Sequence, residues 1–475
     1  MNIRTISYKK IEQSLTILSC LLLVVIPLAH YLILAKVIPY LALPYSIYGV
    51  TILLGLCILL AFLNINIEQK LSLSIILIGI LTVIAILSTM SSINPEVSIF
   101  GASGRDEGII MIFCYYIIFV AMTLLKDSKL KMQLVHFFLF VGTLHALYAI
   151  LQYFDFFAPM IINRWPGMAS GVAGNPNFMG SLLVMQIGLT SGLFYYAQKL
   201  SMRLVYLILT VLFLGTVLLT KTMSALFGIA ILALFFFSYL LITRRKKREI
   251  KGKYTSSSKL LILGLIGIII ALIVFNMITD GYLLNEIIEI YYEITHMVGT
   301  GQINESFGTG RFIVWKNVLS LIPQYFMFGC GIDTFAIAYH SIFPPNMGQV
   351  FDKAHNEYLQ IALTQGVPAL ITYMSLLLYV GYRAYLRFQA IYYNESRENK
   401  YENLYLGLFL AICGYLAQAL FNISVIDVAP FFWMLLGLLA GNDSKVIRKK
   451  SLGRTIQVMT EEGVKKIDEA IYIEQ

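Results

Sequence analysis

The stretch DKAHNEYLQIALTQG, Asp352 to Gly366, sets a histidine beside an asparagine where a polar loop turns apolar. A neutral imidazole accepts protons well near neutral pH, so His355 is a candidate general base. The same pair also reads as a helix start, with Asn356 or Asp352 supplying the capping oxygen. The residues alone leave both readings open. A second chemically suggestive stretch is GTGRFIVW, in which a Gly-rich turn leads into a helix over about Arg311 to Leu321. Arg311 then falls in the first helical turn, among free backbone N–H groups, an arrangement suited to an anion. Arg105 in GASGRDEG and Arg164 in NRWPGMASGVAGNPNFMG also sit among Gly, Pro and Asn, the residues of turns. Arg105 has Asp106 and Glu107 beside it and reads equally as a local ion pair, whereas Arg164 and Arg311 have no adjacent carboxylate. GCGIDT loosely echoes a dinucleotide fingerprint, but it follows no parallel strand, and that reading is rejected.

The elements that must position these groups are set by an apolar composition. The chain has 475 residues, 58% hydrophobic and 13% charged, with a mean hydropathy of +0.77. A soluble chain carries roughly 25% charged residues. Twelve apolar runs read as membrane-spanning helices, at about 14–34, 41–63, 71–91, 107–125, 131–153, 177–197, 203–220, 224–243, 259–278, 364–385, 403–423 and 427–441, the last being short. Each must be helical, because hydrocarbon offers no partner for a free backbone amide. The first run has a basic flank but exceeds the length of a signal-peptide core, so it reads as an anchor. Four of the five cysteines fall inside apolar runs, and only Cys330 lies in a loop, so neither a disulfide framework nor a metal-ligand spacing is present.

The net charge of +9 is explained by its distribution. With the N-terminus inside and the spans alternating, all but seven of the 35 Lys and Arg face the cytoplasm. An even span count puts the C-terminus inside as well. The basic run Arg244 to Lys259 then lies against an anionic leaflet and calls for no nucleic-acid partner. The seven exceptions are Lys36, Arg105, Arg164, Lys221, Arg311, Lys316 and Lys353. They oppose the bias, which points to local roles for some of them.

One outer loop, residues 279–354, exceeds the others, and a loop of that length is usually functional. It opens with Glu286, Glu289, Glu293 and His296 at helical spacing, opposite Leu283, Ile287, Ile290, Tyr291 and Ile294. This predicts an amphipathic helix lying on the membrane surface. The stripe reads as a solvated face, with a carboxylate–histidine metal site as the alternative. His296 and His340 lack a supporting pattern and read as structural. His145 shares a helix face with Gln152, a pairing typical of an interhelical hydrogen bond. The domain reading is spans 1–9 over residues 1–278, the outer loop 279–354, spans 10–12 over 355–441, and a basic cytoplasmic tail 442–475.

GRFIVWKNVLSLIPQYFMFGCGIDTF followed by AHNEYLQIALTQGVPAL resembles the signature of the O-antigen ligase and polymerase superfamily. The matching residues are Arg311, Trp315, Pro323, Gly329, Gly331, His355, Asn356 and Gly366. GNPNFMG, with Asn175 and Asn177, is similar to the family's lead into its sixth helix. The chain departs from the pattern at Ala369, where a second Gly is common, and at TKTMSALFG, where many members carry a Ser-Arg-Gly-like turn and Lys221 stands nearby. The resemblance implies an all-α, polytopic, GT-C-like membrane glycosyltransferase with about twelve spans and one large extracytoplasmic loop carrying short helices. It would sit in the cytoplasmic membrane and take a glycan from undecaprenyl pyrophosphate to an acceptor hydroxyl on a glycan, lipid or protein. His355 and Arg311 would be catalytic. Arg311, Arg164, Lys221 and Arg105 would contact the donor pyrophosphate. Asn356, Tyr358, Trp315, Asn175 and Asn177 would contact substrate. No cofactor or metal is expected, since the first outer loop, AKVIPY, holds no acid. A polymerase extending lipid-linked repeat units is the alternative within the family. A flippase is disfavoured, because few ionisable groups fall within the spans and no internal repeat is visible.

Overall fold

The computed structural model describes residues 7–64, 72–156, 165–251, 273, 276–277, 279, 281–300, 307–344, 350–393, 402–441, 456–460 and 463–467. The helices are α1 (Tyr8–Leu34), α2 (Ala42–Asn64), α3 (Leu73–Met90), α4 (Pro95–Phe100), α5 (Ile109–Leu124), α6 (Ser128–Tyr153), α7 (Pro176–Tyr196), α8 (Leu200–Thr220) and α9 (Met223–Lys251). They continue as α10 (Tyr282–Thr300), α11 (Arg311–Leu321), α12 (Phe335–His340), α13 (Glu357–Thr364), α14 (Val367–Tyr393), α15 (Glu402–Gln418) and α16 (Ala429–Ala440). A 3-10 turn, Phe307–Gly310, precedes α11. The only departure from an all-α chain among the described residues is a two-stranded antiparallel ribbon in the tail, Ile456–Thr460 against Gly463–Ile467.

Among the described residues, eight helices are long and apolar enough to cross a bilayer: α1, α2, α3, α6, α7, α8, α9 and α14. The chain is a polytopic membrane protein. Large apolar side chains stand exposed along the peripheral helices, among them Ile52, Val83, Ile208 and Leu378. In water these faces would be costly, and lipid removes that cost. Three of the expected spans form shorter apolar helices, Ile109–Leu124, Leu404–Gln418 and Ala429–Ala440. The 12 residues of α16 rise only about 18 Å, against roughly 30 Å of hydrocarbon. All twelve are buried, so α16 is wrapped by protein rather than by lipid. The run expected at 259–278 lies mostly outside the described residues.

The bundle is centred on α7, which packs closely on α15. A Cβ on Gly188 would meet the Ala411 backbone nitrogen at 2.4 Å, and one on Gly192 would meet that of Gly407 at 2.2 Å. Small residues let the two backbones approach, the usual packing device where lipid supplies no hydrophobic drive. A polar seam locks their register: Gln418 donates to Ser181 Oγ at 2.7 Å, and Asn422 donates to the same hydroxyl at 3.1 Å. A second, smaller core lies outside the bundle. Val314, Val318 and Leu321 of α11 pack there with Cys330, Phe335, Tyr339 and Leu363. The amphipathic helix expected from residues 283–296 forms as α10, with Ile287, Ile290 and Tyr291 exposed.

Candidate active site

The site is built at the N-terminal ends of α11 and α13. Gly310 adopts φ 81° and turns the chain into α11, which puts Arg311 at its first position. Arg311 has no hydrogen-bond or ion-pair partner among the described residues, and burial lowers its pKa. A half-buried guanidinium of this kind is a ready anion site.

His355 is held by what its neighbours do. Ala354 N–H donates to Gln360 Oε1 at 2.8 Å, and the Trp315 indole donates to Ala354 O at 3.0 Å. On the other side, Asn356 caps α13 by accepting from Tyr358 N and Leu359 N at 3.1 and 3.0 Å. Glu357 N–H then donates to Ala419 O at 2.9 Å. Between these fixed points His355 takes φ 49°, a conformation unusual for a residue with a Cβ. Asn356 is therefore the cap, and His355 is left without that duty. Burial, with Arg311 as the next cause, lowers the His355 pKa to about 4, while Asp352 opposes the shift. The imidazole is neutral at ordinary pH, and the Arg311 charge is close enough to act on it.

Trp315 also stacks obliquely on Phe312 and Phe421, with ring centroids 5.0 and 5.6 Å away. It thereby ties α11 to the segment between α15 and α16. Tyr358 donates to Leu416 O at 2.7 Å. Arg105 pairs with Asp352, not with its own neighbours, through contacts of 2.6 and 2.5 Å. Lys353, buried beside it, contacts Asp333 at 2.6 Å and Glu107 at 2.9 Å. Burial alone would lower the Lys353 pKa, but the two carboxylates outweigh it and hold the ammonium charged. Asp333 also accepts from Ala102 N at 2.7 Å. The loop GASGRDEG is thus bolted to the dipeptide Asp352–Lys353, which only Ala354 separates from the histidine.

Other sequence-predicted residues lie in different surroundings. Lys221 ends α8 with φ 52°, and its ammonium stands 5.5 Å from the Tyr282 ring centroid and 6.0 Å from that of Tyr153. It has no carboxylate partner among the described residues. Asn175 caps α7 through Asn177 N at 2.8 Å, and Asn177 O accepts from Asn422 at 3.2 Å. Arg164 lies outside the described residues. Gly329, Gly331 and Gly366 serve packing. Cys330 N and Gly331 N donate to Leu363 O and Thr364 O at 2.9 and 3.0 Å, and a Gly329 Cβ would meet Thr364 C at 2.2 Å. His340 bridges Phe343 O and Phe351 O, at 3.2 and 3.0 Å, a bracing position. Gln152, expected to bond between helices, accepts from Ser170 N and Gly171 N of the loop before α7 at 2.9 and 2.8 Å.

Sequence reasoning missed Glu357. Its carboxyl accepts from Tyr373 and Tyr415 at 2.9 and 3.1 Å, and burial raises its pKa to about 7. With Glu107, Asp333 and Lys353 it lines a cavity of about 80 Å³ beneath the histidine loop. It also missed the pair His30–Asp427, 2.5 Å apart, from opposite ends of the chain. The nearest sequence signals were the position of Glu357 two residues after His355, and Asp427 standing as a lone acid at a span end. Among the described residues no group of three or more His, Cys, Asp or Glu could hold a metal ion.

The arrangement is that of a polytopic membrane protein with one anion-ready guanidinium and one neutral imidazole at paired helix starts. Residues 207–374 match the family model described as O-antigen ligase. The matched stretch runs from α8 through α13 into α14 and contains Arg311, Trp315, His355 and Asn356. It bears out the resemblance to the O-antigen ligase and polymerase superfamily. No curated protein matches the chain significantly.

Proposed function

We propose that this protein is an O-antigen ligase-like glycosyltransferase. It transfers a glycan from undecaprenyl pyrophosphate to an acceptor hydroxyl at the outer face of the cytoplasmic membrane, in cell-surface polysaccharide biosynthesis. The observation that carries the reading is the placement of Arg311, free of protein counter-ions among the described residues, beside the neutral His355. The family match supports the lipid-linked donor. The wider architecture proposed with it has about twelve spans in a GT-C-like fold, with both termini cytoplasmic. Lys221, Arg164 and Arg105 stand as further donor contacts, and Asn356, Tyr358, Trp315, Asn175 and Asn177 as substrate contacts.

In the reaction, the acceptor oxygen attacks the sugar carbon that bears the pyrophosphate. The C–O bond to the phosphate breaks, and its electron pair leaves on the pyrophosphate. Arg311 meets that growing charge in a partly dried site, where a fixed guanidinium is worth more than in water. His355 Nδ1 or Nε2 takes the acceptor proton. An imidazole of pKa about 4 is a weak base in the empty site. A bound pyrophosphate offsets the Arg311 charge and raises that pKa, so basicity arrives with the donor. The residues supply both charge stabilisation and proton removal, so the proposed mechanism is metal-independent.

The test is transfer by purified protein in nanodiscs, supplied with lipid-linked glycan and candidate acceptors. His355→Ala and Arg311→Ala lose transfer, while insertion and yield stay intact. Near-parental turnover by either variant removes that residue from the mechanism. A ladder of longer lipid-linked products, formed without a separate acceptor, identifies a polymerase. Movement of the glycan across vesicles without bond formation identifies a flippase.

A further inference from the structure

The turn after α11 has an unexpected surface. From Asn317 to Ile332 the sequence NVLSLIPQYFMFGCGI contains no charged residue. Within it Leu319, Phe326, Met327 and Phe328 are 57%, 49%, 56% and 38% exposed. A water-facing turn does not usually present three consecutive large apolar side chains.

The backbone fixes where this tip stands. Val367 N–H, at the first residue of α14, donates to Phe326 O at 2.8 Å. A Cβ on Gly366, with φ 91°, would meet Met327 O at 2.5 Å, so the two strands of chain touch. The stretch Val367–Phe388 is long and apolar enough to cross the membrane, and its exposed Ile371 and Leu378 face lipid. The tip is therefore held at the level where a spanning helix enters the bilayer. Aromatic side chains concentrate at that depth.

We propose that the Phe326–Phe328 tip is an interfacial anchor, seated in lipid on the side of the membrane that carries the candidate site. Its backbone is bonded to the first residue of the spanning helix α14, which makes lipid the occupant rather than a protein partner. The consequence reaches the site. Helix α11 runs from Arg311 to Leu321, four residues short of this tip, and α13 runs from behind His355 to the clamp formed by Leu363 and Thr364 on Cys330 and Gly331. One contact with the bilayer thus sets the depth of both helix starts, where a lipid-linked head group would lie. The anchor rests on the membrane-spanning fold and not on the transferase reading.

The experiment uses Met327→Trp in the full chain, reconstituted in vesicles of phosphatidylcholine brominated near the head of the acyl chain. The added fluorescence, over that of the parent with its three tryptophans, is the signal. The expected result is loss of at least half of that increment in brominated relative to plain vesicles, with little quenching by aqueous iodide. Quenching by iodide and not by bromolipid overturns the proposal, because the tip then faces water. Quenching by neither also overturns it, because protein then covers the tip. The readout needs no donor or acceptor, so its failure is separable from failure of the transferase assay.

Discussion

His355 and Arg311 divide the chemistry between a proton and a charge, and their variants separate the two. His355→Ala is expected to lower turnover by about 10²-fold or more, the usual worth of a positioned general base. Arg311→Ala loses a similar factor by removing stabilisation of the leaving group, and Arg311→Lys regains only part of it, because a point charge cannot reproduce the planar fork. The pH dependence carries the sharper test. In the free protein His355 protonates only near pH 4, so the acid limb of kcat/KM falls there. Bound pyrophosphate stabilises imidazolium, so the acid limb of kcat lies at higher pH than that of kcat/KM. Coincident limbs in stopped-reaction profiles would contradict a shared donor pocket. The residue types at 311, 355 and 356 were legible in the sequence because each sits at a change of pattern. The partners of Arg105 and Lys353 were not, because their carboxylates lie 247 and 246 residues away, or only 20 residues away, with no periodicity to connect them.

At the scale of elements, α13 is a short helix whose start fixes the histidine. Asn356→Ala removes both capping bonds and is expected to cost about 1 kcal/mol, while Asn356→Asp keeps the acceptor and most of the stability. Glu357, in the first turn of the same helix, makes stability pH-dependent. Its folded pKa of about 7 lies above its unfolded value, so the folded state holds the proton more tightly. Its contribution is fully present below the unfolded pKa, declines as pH rises towards 7, and is lost above that. Glu357→Gln should flatten the decline, by an amount on the order of 2 kcal/mol between pH 4 and 8. Thermal unfolding in detergent across that range measures it; an unchanged slope in the variant would assign the decline elsewhere. Hydropathy predicted where the spans begin but not that α5, α15 and α16 are short. An apolar residue reads the same whether lipid or protein surrounds it, and the 12 buried residues of α16 are surrounded by protein.

Across the whole molecule, distant parts of the chain meet at one junction. Lys353 reaches Glu107 across 246 residues and also contacts Asp333, so the loop before α5, the turn before α12 and the histidine loop share a single buried cation. Such a junction is costly to assemble and more costly to break at its centre than at its edge. Lys353→Met leaves Glu107 and Asp333 facing each other without a counter-charge and should destabilise by roughly 3–5 kcal/mol. Glu107→Gln leaves Lys353 paired with Asp333 and should cost less. Adding Glu107→Gln to Lys353→Met should then recover part of the loss, since one of the stranded carboxylates is gone. Comparing the melting of the two single variants, the double variant and the parent protein decides it. If the double variant melts at the sum of the two single losses, the ion cluster is not the joint that fixes the loop carrying His355. If it melts above that sum, the position of the imidazole depends on a charge balance reached only when the two halves of the chain are assembled.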